Sequence, residues 1–148
     1  MAYTTAAEIQ ADFKNIDFSA TGAAIATAAV TQFIVEADAL INSFVGVRYV
    51  TPISSGDGLN LMKLLSRSLV SARIRGMLEV KQAQSANANQ NVQTAFLSVA
   101  QVMKILTDIR NDVLGVDGAV PLVTSNGFFS NNYANDIQPK VEKDTKQW

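Results

Sequence analysis

The sequence predicts an all-α fold: a small helical bundle of about four helices followed by a long, mostly irregular C-terminal extension. Apolar residues return at alternating steps of four and three from Val30 to Phe44 and again from Val92 to Leu106, the period of a helix that buries one face. No run alternates apolar and polar residues for long enough to make a strand, and no internal repeat is evident. From Ala119 the chain becomes Ser/Asn-rich and then Lys/Asp/Glu-rich, punctuated by Pro121, Gly127 and Pro139. The expected division is 1–118 as a helical domain and 119–148 as an extended tail.

Taken in order, Thr5 and Glu8 have the spacing of a capping box, in which two side chains satisfy the free amides of a helix start. This places a first helix at about Thr5 to Phe13. A loop through Asp17, Ser19, Thr21 and Gly22 leads to a second helix from near Thr27 to near Val47. Its stripe is Val30, Ile34, Ala37, Ile41 and Phe44, widened by Phe33 and Leu40. Gly46 weakens the helical end and Pro52 disfavours the α conformation at Thr51, so the chain leaves as an extended linker carrying Arg48 and Tyr49. A third helix starts between Asp57 and Asn60 and runs to about Lys81 or Gln84. Residues such as Leu61, Leu65, Leu69, Ile74 and Leu78 leave it little purely polar face. A helix apolar almost all round contacts protein on more than one side, and part of that second side can belong to another subunit. Residues 85–91 read as a polar loop. A fourth helix then carries Val92, Phe96, Val99, Met103 and Leu106, widened by Val102, Ile105 and Ile109, until Gly115 supplies a stop.

A chain of 148 residues suits one compact domain and buries enough apolar surface to need no staples. Cysteine and histidine are both absent, which excludes disulfides, the usual structural zinc sites, thiol nucleophiles and imidazole acid/base chemistry together. No basic region followed by an apolar run opens the chain, and no segment approaches a membrane span, so a soluble, non-secreted protein without cofactor or metal is expected. The net charge of −1 conceals a segregation: six acids and two bases in residues 1–60, then Lys63, Arg67, Arg73, Arg75 and Lys81 against Glu79 alone in residues 61–81. Such a basic helix either packs beside the acidic segments of its own chain or meets a neighbouring subunit or nucleic acid. Its basic residues are spread around the helix and interleaved with buried-type residues, which disfavours a sequence-reading role on DNA.

The chemical candidates are few. Asp108 and Asp112 lie four apart, so on a helix both carboxylates face one way, but no third ligand or nucleophile is near them in sequence and a solvated face is the expected reading. Gly56-Asp57-Gly58 lacks the preceding strand and the Gly-Lys-Ser/Thr continuation of a phosphate cradle and reads as a flexible N-cap loop. Arg48 and Tyr49 suit a local job at a helix end, with an intersubunit contact as the alternative. Arg67, Arg73 and Arg75 are candidates for the same subunit interface. In the tail, Phe128, Phe129, Tyr133 and Trp148 are isolated aromatics with the composition of anchors for a partner surface.

The order of these pieces carries a resemblance: Tyr3 to Ile9 opening a short helix, the Glu36 to Ile41 element in an amphipathic helix, Arg48-Tyr49 with Pro52 behind it, and two later helices. Over about Tyr3 to Leu114 the chain resembles the head-to-tail connector, or head-completion, proteins of tailed bacteriophages, and looks closest to the phage Mu-type branch. The family more often has a proline-richer linker and an acid early in the next helix. Here residues 54–58 are Ser-Ser-Gly-Asp-Gly and a basic helix follows, so that acid's role is not carried over.

The resemblance implies a virion structural protein in the head-tail neck, made in the host bacterial cytoplasm. It would form a homo-oligomeric ring, commonly twelve-fold, between the portal protein and a tail or stopper neck protein. Genome DNA would pass through the lumen without sequence-specific binding, no membrane would be involved, and the tail would reach the portal or a neighbouring subunit. The rival readings are a tail-completion or stopper-like neck protein and, further off, a small helical regulator of DNA or a host protein.

Overall fold

The computed structural model describes residues 2–122 apart from 84–96, with the side chains of 80–83 also outside the description. Among the described residues there are four helices: α1 (Ala6–Asp12), α2 (Thr27–Val45), α3 (Gly56–Ala83) and α4 (Val99–Arg110). Among the described residues there is no strand, only one isolated antiparallel bridge between Tyr49 and Pro121. The fold is therefore the small all-α bundle that the periodicity predicts.

The helix starts follow from side-chain chemistry. Thr5 caps α1 through a complete capping box: its hydroxyl accepts the Glu8 amide at 3.2 Å, and the Glu8 carboxylate accepts the Thr5 amide at 2.8 Å. α4 begins with the same device, Ser98 with Gln101, which corrects the expectation of a helix continuous from Val92. Leu97 and Ser98 lie outside the helix, and the cap sets its first turn. The end is corrected too. α4 stops at Arg110, not near Gly115, because Asn111 caps it and Asp112 takes a left-handed φ of 64°. The amides of Val113 and Leu114 then return to the Asp108 carbonyl at 2.8 and 3.1 Å.

α2 and α3 form the spine and run antiparallel, since residues near the start of α2 meet residues near the end of α3. One apolar cluster unites Val30, Phe33, Ile34 and Ala37 of α2 with Val70 and Ile74 of α3, and Ile9 and Phe13 from the α1 end cover it. A second unites Ile41 and Val45 with Met62 and Leu65, covered by Val102, Leu106 and Ile109 of α4. α1 and α4 thus take opposite ends of the spine. The second side of α3 that the sequence assigns to protein is supplied in large part by these two helices of its own chain, although Leu64 and Met77 remain exposed.

The buried faces differ in detail from the expected stripes. On α2, Phe44 is only half-buried and Val45 is fully buried, because the helix turns its last residue toward α4. On α4 the core face is Val102, Leu106 and Ile109, each fully buried, while Val99 is 48% exposed. That stripe is rotated from the expected one: of the described members of the central series it keeps Leu106 and not Val99 or Met103, while Val92, Phe96 and the expected loop 85–91 lie outside the described residues.

Between the two clusters sits a polar layer. Asp38, midway along α2, is buried, and its carboxylate accepts the Tyr3 amide at 2.9 Å and the Ser66 hydroxyl of α3 at 2.7 Å. The Tyr3 phenol donates to Asn42 Oδ1 at 2.5 Å and accepts the Ile53 amide at 3.2 Å. One residue near the N-terminus thereby ties α2 to the linker that leads into α3. By length and composition α2 is also apolar enough to cross a membrane, with a mean hydropathy of 1.3, contrary to the expectation that no segment approaches a span. Its valines, isoleucines, leucine and phenylalanines set that mean, and Val30, Ile34, Ile41 and Val45 are buried in the bundle, where Asp38 is used as well.

Candidate interaction surface

The linker after α2 is more strongly held than its sequence suggests. α2 ends at Val45, two residues before the expected end, and the amides of Arg48 and Tyr49 turn back to the Val45 carbonyl at 3.0 Å each. The chain then extends, with Thr51–Pro52 in the cis form, and pairs with residues from beyond α4. The Val50 amide donates to the Val120 carbonyl and the Leu122 amide to the Arg48 carbonyl, both at 2.8 Å. Ala119 packs against the core as well, so residues 119–122, placed in the tail by composition, are fastened to the helical body.

Arg48 and Tyr49 both work within the chain. The Tyr49 hydroxyl accepts the Val116 amide at 3.3 Å, and its ring lies half-buried against the α4 cluster. Arg48 forms an ion pair with Asp112. Both partners are substantially exposed, so the pair contributes at most about 1 kcal/mol. Asp112 is therefore no companion of Asp108 on a helical face, which corrects that reading. Among the described residues no group of three or more carboxylates is placed to hold a metal ion.

Gly56-Asp57-Gly58 is likewise no flexible loop. The Gly58 amide donates to the Asp117 carbonyl at 2.9 Å, and a Cβ at Gly58 would lie 2.5 Å from that oxygen and 2.7 Å from Val116 Cγ1. Glycine is needed there because α3 starts in contact with the returning backbone.

The arginines of α3 fall into the intramolecular pattern. Arg67 donates to both carboxylate oxygens of Asp12 in α1, at 3.2 and 2.5 Å, and these hydrogen bonds, with help from the charge of Glu8, hold its guanidinium above its usual pKa against the effect of burial. Arg73 pairs with Glu36 of α2 and stacks over the Phe33 ring, 4.3 Å from its centroid. The Arg73 hydrogen bond, joined by one from Gln32, lowers the Glu36 pKa. Arg75 is half-buried on the same helix. Burial works against ionisation of Glu8, but bonds from the Thr5 amide and the Thr4 and Thr5 hydroxyls, with Lys63 nearby, still hold its carboxyl below the ordinary range. The segregated charges of the sequence are thus joined across the bundle, α3 to α1 and α3 to α2.

Among the described residues, exposed apolar side chains group at the linker end, and an apolar groove opens on the spine. Around the paired segments 48–50 and 120–122, Val47, Val50, Val120 and Leu122 are exposed, and Val113, beside the Arg48 partner Asp112, is 75% exposed. Higher on the spine a groove of about 280 Å³ lies between α2 and α3. Its floor is Phe33, Ala37, Leu40, Leu69 and Val70, and the Glu36–Arg73 pair forms its rim. Phe128, Phe129, Tyr133 and Trp148 lie outside the described residues. The sequence reading missed the groove, the Asp38 layer and the fastening of residues 119–122. Only the Asp38 layer had a local signal, an acid one step from the Ala37–Ile41 stripe. No protein-family model, curated protein or solved structure matches the chain.

Proposed function

We propose that the protein is a head-to-tail adaptor of a tailed bacteriophage, assembling as a homo-oligomeric ring, twelve-fold in the expected form, that docks on the portal and continues the DNA channel toward the tail. The reading rests on the resemblance carried by the order of its helices and the Arg48-Tyr49-Pro52 linker. The observation that supports it most is the apolar surface gathered at the linker end: Val47, Val50, Val113, Val120 and Leu122 lie where the chain leaves the helical body. Exposed apolar side chains grouped in this way mark contact surfaces.

In this reading the work is assembly and sealing, not catalysis. Arg67 and Arg73 brace the subunit internally, and subunit contact belongs to the apolar residues of the linker end. Individually weak contacts gain strength when repeated around a closed ring. The tail, with Phe128, Phe129, Tyr133 and Trp148, supplies further anchors on the portal or a neighbour, and the lumen passes DNA without reading its sequence.

The experiment replaces Val113 and Val120 by Ser, singly and together, and follows incorporation into particles beside the circular dichroism of the free protein. Both side chains are exposed, so folding should be unchanged while incorporation falls. Normal incorporation of the double variant would remove the linker end from the interface, and absence of the wild-type protein from particles would end the adaptor reading.

A further inference from the structure

The groove between α2 and α3 has a floor of apolar side chains, and its rim charges are already paired. Leu40 and Leu69 are half-buried, Phe33 lies under the Arg73 guanidinium, and Glu36 is held by Arg73. Such a groove suits an uncharged, aromatic occupant and offers little to a charged one.

The end of the described chain indicates which occupant. Residues 120–122 run antiparallel to 48–50, with the Leu122 amide on the Arg48 carbonyl, so the chain at Leu122 heads back toward the C-terminal end of α2. Phe33, Ala37, Leu40 and Phe44 follow one another at steps of four, three and four, so the side of α2 that lines the groove continues to the C-terminal end of the helix, toward which the chain at Leu122 heads. From Val45 the groove residues of α2 lie about 8–18 Å up the helix, at 1.5 Å per residue. Phe128 and Phe129 are six and seven positions past Leu122, a reach of at most about 20–25 Å for extended chain. Residues 123–135 carry no charge and hold this aromatic pair. Direction, length and chemistry agree.

We propose that the groove lined by Phe33, Ala37, Leu40, Leu69 and Val70 is the seat of the same chain's Phe128-Phe129 pair. The site shields two rings from water in the free subunit, so that any partner binding the tail must exchange with it. This inference does not depend on the adaptor reading.

The chain contains no cysteine, so one nitroxide can be placed by Ser130→Cys in the full-length protein. In the nitrogen-15 spectrum, the amides of residues 33–40 and 69–73 should be broadened several-fold more than those of α4. The effect should persist on dilution and vanish when Phe128→Ala/Phe129→Ala is added. Broadening that is absent from the groove, or indifferent to the double substitution, overturns the proposal. Broadening seen only when spin-labelled chains are mixed with separate nitrogen-15 chains also overturns it, and assigns the groove to a second copy.

Discussion

Replacing Asp38 by Ala tests the polar layer between the two apolar clusters. The carboxylate is the acceptor for the Tyr3 amide and the Ser66 hydroxyl, at 2.9 and 2.7 Å, and both donors are buried. Each buried donor left without an acceptor costs about 1–3 kcal/mol. The Ser66 hydroxyl can rotate toward a carbonyl of its own helix, so its cost falls near the lower end, about 1 kcal/mol. The Tyr3 amide is fixed by the backbone and bears the larger share, for a total loss of about 2–4 kcal/mol. Against a domain stability of about 5–15 kcal/mol, that is a large fraction. Urea unfolding followed by far-ultraviolet circular dichroism measures it. Asp38→Asn keeps one oxygen acceptor and should lose less, and Asp38→Ala/Ser66→Ala should lose less than the sum of its single variants because the two residues share one bond. If Asp38→Ala unfolds within about 0.5 kcal/mol of the wild type, the layer does not hold the N-terminal segment as described.

Three further outcomes follow from the packing. Ile41→Ala, at a fully buried position, should lose about 2–5 kcal/mol in the same assay, Phe44→Ala less, and exposed Gln32→Ala almost nothing; equal losses would mean that the buried face of α2 is misassigned. Gly58→Ala forces a Cβ against Asp117 and Val116 and should cost about 1–3 kcal/mol, with faster hydrogen exchange at the Gly58 and Val116 amides; wild-type exchange there would refute the close approach. The Tyr3 phenol has its pKa raised by burial, with Asp38 adding to the rise and the Ile53 amide opposing it. A raised folded pKa contributes stability that is complete below the unfolded value of about 10 and is lost as pH rises toward the folded value, so thermal stability should drop above about pH 10. Tyr3→Phe should lack that particular loss, and an identical alkaline profile for the two proteins would contradict it.

The sequence reveals what depends on near neighbours. Thr5 and Glu8 are three apart and give the α1 start, and the four-three period gives α2 and its core face nearly to the residue. The same logic fails on α4. Val99 and Met103 on one side and Val102 and Ile109 on the other are all apolar, so periodicity alone admits two adjacent stripes, and contact with α2 and α3 selects the second. The Ser98–Gln101 cap carries the signature recognised at Thr5–Glu8, but an apolar run extending upstream of it hides the start. Partners far along the chain leave no local trace. Asp38 meets Tyr3 and Ser66 across 35 and 28 positions, and Arg67 meets Asp12 across 55. For that reason the arginines of α3 read equally well as internal braces or as an interface. The Tyr49–Pro121 pairing, which draws residues 119–122 into the body, is non-local in the same way, so truncation to isolate the helical body belongs after Leu122.

The adaptor reading is tested most directly by a density map of the assembled neck. It predicts twelve copies in a closed ring on the portal, with the Val47, Val113 and Val120 ends of the subunits in contact. Six copies at the tail tube would replace the adaptor with a tail-completion role, and a ring position left empty, with the protein monomeric or dimeric in solution, would contradict a structural role altogether.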